Sequence, residues 1–230
     1  MADRVPLSLK EYLSQSDRKV RILIVSDVSK GNTLLRMLEK ETGTMVQNVS
    51  CQNLNWVINQ IYIYEQAGKD FKEEYELIDD QTALMIFRNV LLEIIGTLKY
   101  YKGKDDQMSI ATSKEVFDKV CLMRGNECGL DDANDRIADL KTIIDAYENE
   151  LKSRKKHDRI ARAKYVLEYL RNSGTIDKSI FGADAELSYL KEDAELNNSI
   201  QNELLDRLAT NEIYYFEEEF VEEKDGSNNV

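Results

Sequence analysis

Eight cations crowd into residues 152 to 171: Lys152, Arg154, Lys155, Lys156, Arg159, Arg162, Lys164 and Arg171, against Asp158 and Glu168. Such a cluster can hold phosphate oxygens through charge and N–H donors, and Tyr165 and Tyr169 within it offer faces on which bases could stack. Lys152, Arg154, Lys155, Lys156, Arg159 and Arg162 are therefore the candidate DNA contacts. The competing use is internal: segment 183–223 carries thirteen acids and only two bases, Lys191 and Arg207, and can neutralise a basic helix junction. No Phe or Trp interleaves the cations, which favours internal pairing.

Other chemistry has less to build on. Ser26-Asp27-Val28-Ser29-Lys30-Gly31-Asn32-Thr33 follows an apolar run, where a phosphate-binding loop would sit. Its only glycine is Gly31, and Asn32 stands where that motif needs lysine. Asp27 adds negative charge beside any phosphate, so a tight turn before a helix is expected, with Lys30 placed ahead of the helix. Ile213-Tyr214-Tyr215-Phe216-Glu217-Glu218 has the outline of a magnesium-holding strand end, but five glutamates between 217 and 223 make it a solvated acidic edge. The lone histidine, His157, lies in a polar break and reads as a surface residue. Cys51, Cys121 and Cys128 lack metal-ligand spacing. Asp79-Asp80 and Asp131-Asp132 stand where helices start and read as caps. No catalytic, metal or cofactor-binding residue is assigned.

The elements that would position these residues alternate first and turn helical later. Arg21 to Ser26 has the length and branching of a buried strand, Thr33 to Glu41 is helical with Gly43 as its stop, and Met45 to Ser50 is a second strand. Leu54, Val57, Ile58, Ile61 and Tyr62 make one apolar helix face ending at Gly68. Beyond Asp79 the period is helical. Leu84, Phe87, Val90, Leu91, Ile94 and Ile95 form one stripe, ending near Gly96; Tyr100 to Gln107 is a polar turn. Thr112 and Glu115 suggest a capping box opening a helix that ends near Gly125. Asp131 is expected to cap a helix carrying Ile137, Leu140, Ile144, Tyr147 and Leu151, and Ile160, Ala163, Leu167 and Leu170 repeat the pattern after the basic break. Ile200, Leu204, Leu205 and Leu208 form a last stripe, before a short strand from Ile213 to Phe216. The fold expected is α/β and helix-rich, with a small, mainly parallel sheet and a helical insertion. Residues 1–78 and 175–223 make the α/β lobe, 79–174 the helical subdomain, and 224–230 a disordered tail.

The chain has 230 residues with 42% hydrophobic content, which excludes a disordered class, and one proline excludes a collagenous one. Its formal charge of -12 opposes nucleic acid except at a local patch. No apolar run approaches the roughly 20 residues that span a bilayer. The unpaired cysteine count and the charged N-terminus point to a reducing, cytoplasmic compartment without membrane contact.

Ala146-Tyr147-Glu148-Asn149-Glu150-Leu151, followed by His157-Asp158 and then ARAKYVLEYL from 161 to 170, resembles the AddB-like helicase-nuclease subunits of the UvrD/RecB helicase superfamily. RILIVSDVSKGNTLLRML, VQNVSCQNLNWVINQ and ELLDRL are similar to that family's opening strand, helix, second strand, next helix and return to the sheet. The resemblance implies a nucleotide-binding-like 1A lobe with a helical 1B insertion, in a bacterial machine that processes double-strand DNA breaks. It also implies a partner, either another helicase-nuclease subunit or a C-terminal part of the same protein. Without the phosphate-loop lysine, a magnesium-holding strand end or a nuclease block, this chain would serve as a non-catalytic N-terminal scaffold, with weak DNA contact through the basic segment. The alternative is an acidic helical protein-interaction module with no nucleic-acid role.

Overall fold

The computed structural model describes residues 6–14, 19–43, 46–67, 75–102, 110–126, 134–173, 176–182, 184–194 and 197–214. In chain order these form β1 (Pro6–Ser8), α1 (Leu9–Ser14), β2 (Arg21–Ile24), α2 (Val28–Thr42), β3 (Val49–Gln52) and α3 (Leu54–Ala67). Next come β4 (Glu76–Leu77), α4 (Asp80–Ile94), α5 (Ile110–Gly125), α6 (Asp135–Ser153), β5 (Lys156–His157) and α7 (Arg159–Ser173). The chain continues through β6 (Glu186–Leu190), α8 (Lys191–Ala194), α9 (Ser199–Leu208) and β7 (Asn211–Tyr214). It divides into two compact units, one of residues 1–57, 177–197 and 205–230, the other of residues 58–176 and 198–204. The division falls within α3 at residue 58, whereas the sequence reading placed it after residue 78.

The first unit is built on a five-stranded sheet in the order β1-β7-β6-β2-β3, with every pairing parallel. Parallel strands are covered on both faces and therefore need near-continuous apolar sequence. β2 meets that demand with Ile22, Leu23 and Ile24, and its first residue, Arg21, is buried as well. Its Leu23 stands opposite Cys51 on one side and Ser188 on the other. Leu9, Tyr12, Leu23, Leu35, Leu38 and Ile213 pack in one core cluster, and each fully buried aliphatic side chain contributes roughly 1.5–3 kcal/mol. The strands on either side of the helical insertion, β3 and β6, both pair with β2, so the α/β class with a small parallel sheet stands.

Local chemistry sets the ends of α2. The Asp27 carboxylate accepts from the Ser29 N–H at 2.8 Å and the Lys30 N–H at 3.2 Å, and Gly43 takes the left-handed backbone, φ 63°, that closes the helix. Gly31 is required by packing: a Cβ there would stand 2.9 Å from the buried Cys51 sulfur. Several expectations need correction. α2 opens at Val28, not Thr33, because Asp27 supplies a cap that the apolar period alone does not register. The second strand runs from Val49 to Gln52, later than Met45 to Ser50. β7 begins at Asn211, ahead of Ile213; Tyr215, Phe216 and residues 217–230 lie outside the described residues.

The second unit is helical apart from the two-residue ribbon of β4 and β5. α4, α5 and α6 share a core in which Phe87, Phe117 and Tyr147 meet at ring-centroid distances of 5.1, 5.4 and 6.1 Å, at steep angles suited to edge-to-face contact. Asp79 caps α4 by accepting from the Thr82 N–H, as its position promised. Thr112 does not cap α5, which already begins at Ile110. Asp131 and Asp132 lie outside the described residues; the described start of α6 is capped by Asn134, whose side chain accepts from the Ile137 N–H. Asp139, buried on α6, accepts from the backbone N–H groups of Lys99, Tyr100 and Tyr101 and pins that turn to the helix.

Candidate ligand cleft and basic segment

The helical unit places its chemistry where α6 hands over to α7. α6 ends at Ser153 and Lys155 takes a positive φ of 52°, which turns the chain into β5. β5 pairs in parallel with β4, setting Glu76 opposite Lys156 and Leu77 opposite His157. The pairing is closed by the Glu76 N–H to the Lys155 carbonyl at 2.9 Å and the Ile78 N–H to the His157 carbonyl at 3.1 Å. Two segments 80 residues apart thus bring Tyr75 onto His157, with ring centroids 4.1 Å apart and planes inclined by 18°. Tyr62 of α3 approaches the same imidazole edge-on, and its hydroxyl lies 2.9 Å from Nδ1. Tyr165 of α7 completes the group, 5.1 Å from Tyr62 and 5.8 Å from His157. His157 is consequently not the surface residue expected but half-buried among three rings. Burial pushes its pKa down to about 4, with Arg162 adding to the effect and Asp158 opposing it. The ring is neutral at pH 7.

Behind this stack lies a buried ion network. Arg124 of α5 is 3% exposed and donates through Nη1 to Asp158 at 2.5 Å and through Nε to Glu148 at 3.0 Å. Its guanidinium carbon also sits 5.1 Å over the Tyr147 ring. Asp158 caps α7 through the Ala161 N–H at 2.8 Å and receives the Tyr147 hydroxyl at 3.1 Å. Burial penalises the Asp158 charge, yet Arg124, the Ala161 N–H and the Tyr147 hydroxyl together hold its carboxyl below the usual range. Glu148 is held low in the same way, its burial outweighed by Arg124 and Lys164. Every carboxylate in this network has a cation, which is the condition for keeping such charges inside a fold.

The candidate DNA contacts divide around the junction. Lys152 and Lys156 line a cleft of about 390 Å³ together with Tyr75 and His157, whereas Arg159 lines a separate cleft with Phe117 and Cys121. Lys155 is exposed at the turn. Arg154 pairs with Glu150 at 2.5 Å and Lys156 with Glu76 at 2.8 Å. Arg162 is half-buried, and its Nε is enclosed with no hydrogen-bond partner. Lys164 pairs with Glu148, and Arg171 with Glu203 of the acidic segment at 2.5 Å. Among the described residues, the side chains of Lys152, Lys155 and Arg159 enter no ion pair.

At the end of β2, Lys30 lies in the first turn of α2 rather than ahead of it, so its position alone does not keep it from a phosphate. Occupation does: the Asp27 carboxylate already takes the leading N–H groups. Burial raises the Cys51 and Cys121 thiols to about 11, leaving them unreactive at neutral pH; Cys128 lies outside the described residues. Among the described residues no three His, Cys, Asp or Glu side chains gather to hold a metal ion, and no helix is long and apolar enough to cross a membrane.

Sequence reasoning found the basic segment and Tyr165 but missed Tyr62, Tyr75, Arg124 and Glu148 as members of one site. Tyr75 reaches His157 through the β4–β5 ribbon, a pairing too short and too distant along the chain to leave a periodic pattern, and Arg124 meets Glu148 only by contact between helices. No protein-family model matches the chain, and no curated protein matches it.

Proposed function

We propose that this chain is a non-catalytic scaffold: an α/β lobe with a helical insertion, of the kind implied by its resemblance to AddB-like helicase-nuclease subunits, acting in bacterial double-strand-break repair in the cytoplasm. It contributes shape and contacts to a partner subunit or to a further part of the same protein, and touches DNA weakly through Lys152, Lys155 and Arg159. The observation that carries the reading is the Asp27 cap. In a nucleotide-hydrolysing lobe the N–H groups after this strand would cradle phosphate; here a carboxylate occupies them. The parallel order, with β3 and β6 flanking β2 on either side of the insertion, supports the 1A-like organisation.

A second reading, an acidic protein-interaction module without DNA, draws on the internal pairing of Arg154, Lys156, Lys164 and Arg171. Fluorescence anisotropy with a labelled duplex at about 50 mM salt separates the two. On the scaffold reading, weak, sequence-independent binding falls roughly 40-fold by 200 mM salt if three phosphates are neutralised. Replacing Lys152, Lys155 and Arg159, all exposed, with Glu abolishes it without unfolding the chain. No binding by the parent at low salt would overturn the DNA contact and favour the interaction-module reading.

A further inference from the structure

We propose that the cleft beside His157 is a small-ligand site for a free nucleoside monophosphate, a planar aromatic ring joined to a phosphate. The proposal concerns the helical unit alone and does not depend on the scaffold or DNA readings.

The ring half of the ligand is argued from the aromatic group. Tyr75, His157 and Tyr165 all line the cleft, and Tyr75 and His157 are already stacked, so a further planar ring can extend an existing column. Tyr62 is buried and holds the imidazole by its hydroxyl, which fixes the platform before any ligand arrives. The imidazole is uncharged, so it presents a π-face rather than a competing cation.

The anionic half is argued from the rim. Among the lining residues Arg124, Lys152, Lys156 and Lys164 face two carboxylates, Glu148 and Glu168. Glu148 is held by both Arg124 and Lys164, so its charge is spent internally. Lys156 is shared with Glu76. Lys152 remains with no ion pair among the described residues and is the side chain offered to a phosphate. A volume of about 390 Å³ is near the lower end for small-ligand sites, suited to one nucleotide rather than a strand.

Calorimetry of the full chain with AMP, adenosine and ribose 5-phosphate tests the proposal. AMP is expected to bind with a Kd below 1 mM, on the order of the weakest useful affinities, and each half-ligand at least roughly tenfold more weakly. Tyr75→Ala should weaken AMP roughly tenfold, the scale of one lost stacking partner, while Tyr75→Phe keeps the ring and stays within about twofold of the parent. Lys152→Glu changes an exposed side chain, leaves the core intact by circular dichroism, and should also cost roughly tenfold. Should Tyr75→Ala unfold, Lys152→Glu and the half-ligands still decide. No AMP heat at millimolar concentration, adenosine binding as tightly as AMP, or an unchanged Lys152→Glu variant would each overturn the site. The oligonucleotide dT12 displacing AMP at lower concentration than dTMP does would overturn the free-nucleotide assignment in favour of a strand.

Discussion

Lowering the pH from 7 to 4 should destabilise this protein in a window set by one residue, and the chain's single histidine makes that window directly observable. An unfolded histidine takes its proton near pH 6.5; His157 in the fold takes it at about 4, because burial among Tyr62, Tyr75 and Tyr165 disfavours the imidazolium. Between those values the unfolded chain binds more protons than the native one. The stabilisation is therefore complete above about pH 6.5 and lost as the pH falls toward 4. For a fully enclosed group the loss would approach 3 kcal/mol; His157 is only half-buried, and screening by water reduces it to about 1–2 kcal/mol. Asp158 and Glu148 act in a more acid range: their carboxyls are held below ordinary values, so their stabilisation is full above the ordinary carboxylate range and is lost progressively as the pH falls from there through those lowered values. Two measurements check this. The Hε1 resonance should titrate with a midpoint near 4, and urea unfolding at pH 7 and pH 5 should differ by about 0.5–1 kcal/mol in the parent but by much less in His157→Phe. An Hε1 midpoint near 6.5 would refute the reasoning.

Asp158→Ala should cost about 3–5 kcal/mol in urea unfolding, because it strands the buried Arg124 guanidinium and also removes the cap on the Ala161 N–H. Conservative replacement by Asn keeps the cap and should cost less. Gly31→Ala places a Cβ against the Cys51 sulfur and should destabilise by about 1–2 kcal/mol despite the better helix propensity of alanine. Adding Cys51→Ala should remove part of that cost, leaving the tight approach to Val25 at 3.1 Å, and a double-mutant cycle with no coupling would contradict the packing account.

What the sequence disclosed follows the reach of its patterns. β2 was legible because Ile22, Leu23, Ile24 and Val25 are all buried and leave an unbroken apolar run, and α4, α6 and α7 were legible because a single buried face repeats every three or four residues. β1 and β6 were not: β1 is three residues long and begins at proline, and β6 carries Glu186 and Ser188 within an acid-rich segment although it pairs with two neighbours. The start of α2 was missed because a cap is a matter of one side chain and two N–H groups, not of period. The basic segment was visible as charge, but whether its cations were free depended on Glu76, Glu148, Glu150 and Glu203, three of which reach it only through tertiary pairing. The aromatic cleft was hidden for the same reason: Tyr75 and His157 meet through a two-residue ribbon.

The claim that this α/β lobe holds no working nucleotide site rests on the Asp27 cap, and the backbone amide resonances of Ser29, Lys30 and Gly31 report on it residue by residue. Titrating the full chain with Mg-ATP should leave those three resonances in place, because the Asp27 carboxylate occupies the Ser29 and Lys30 N–H groups and repels phosphate. Saturating shifts of Ser29, Lys30 and Gly31 at micromolar Mg-ATP, lost in Lys30→Ala, would contradict the account.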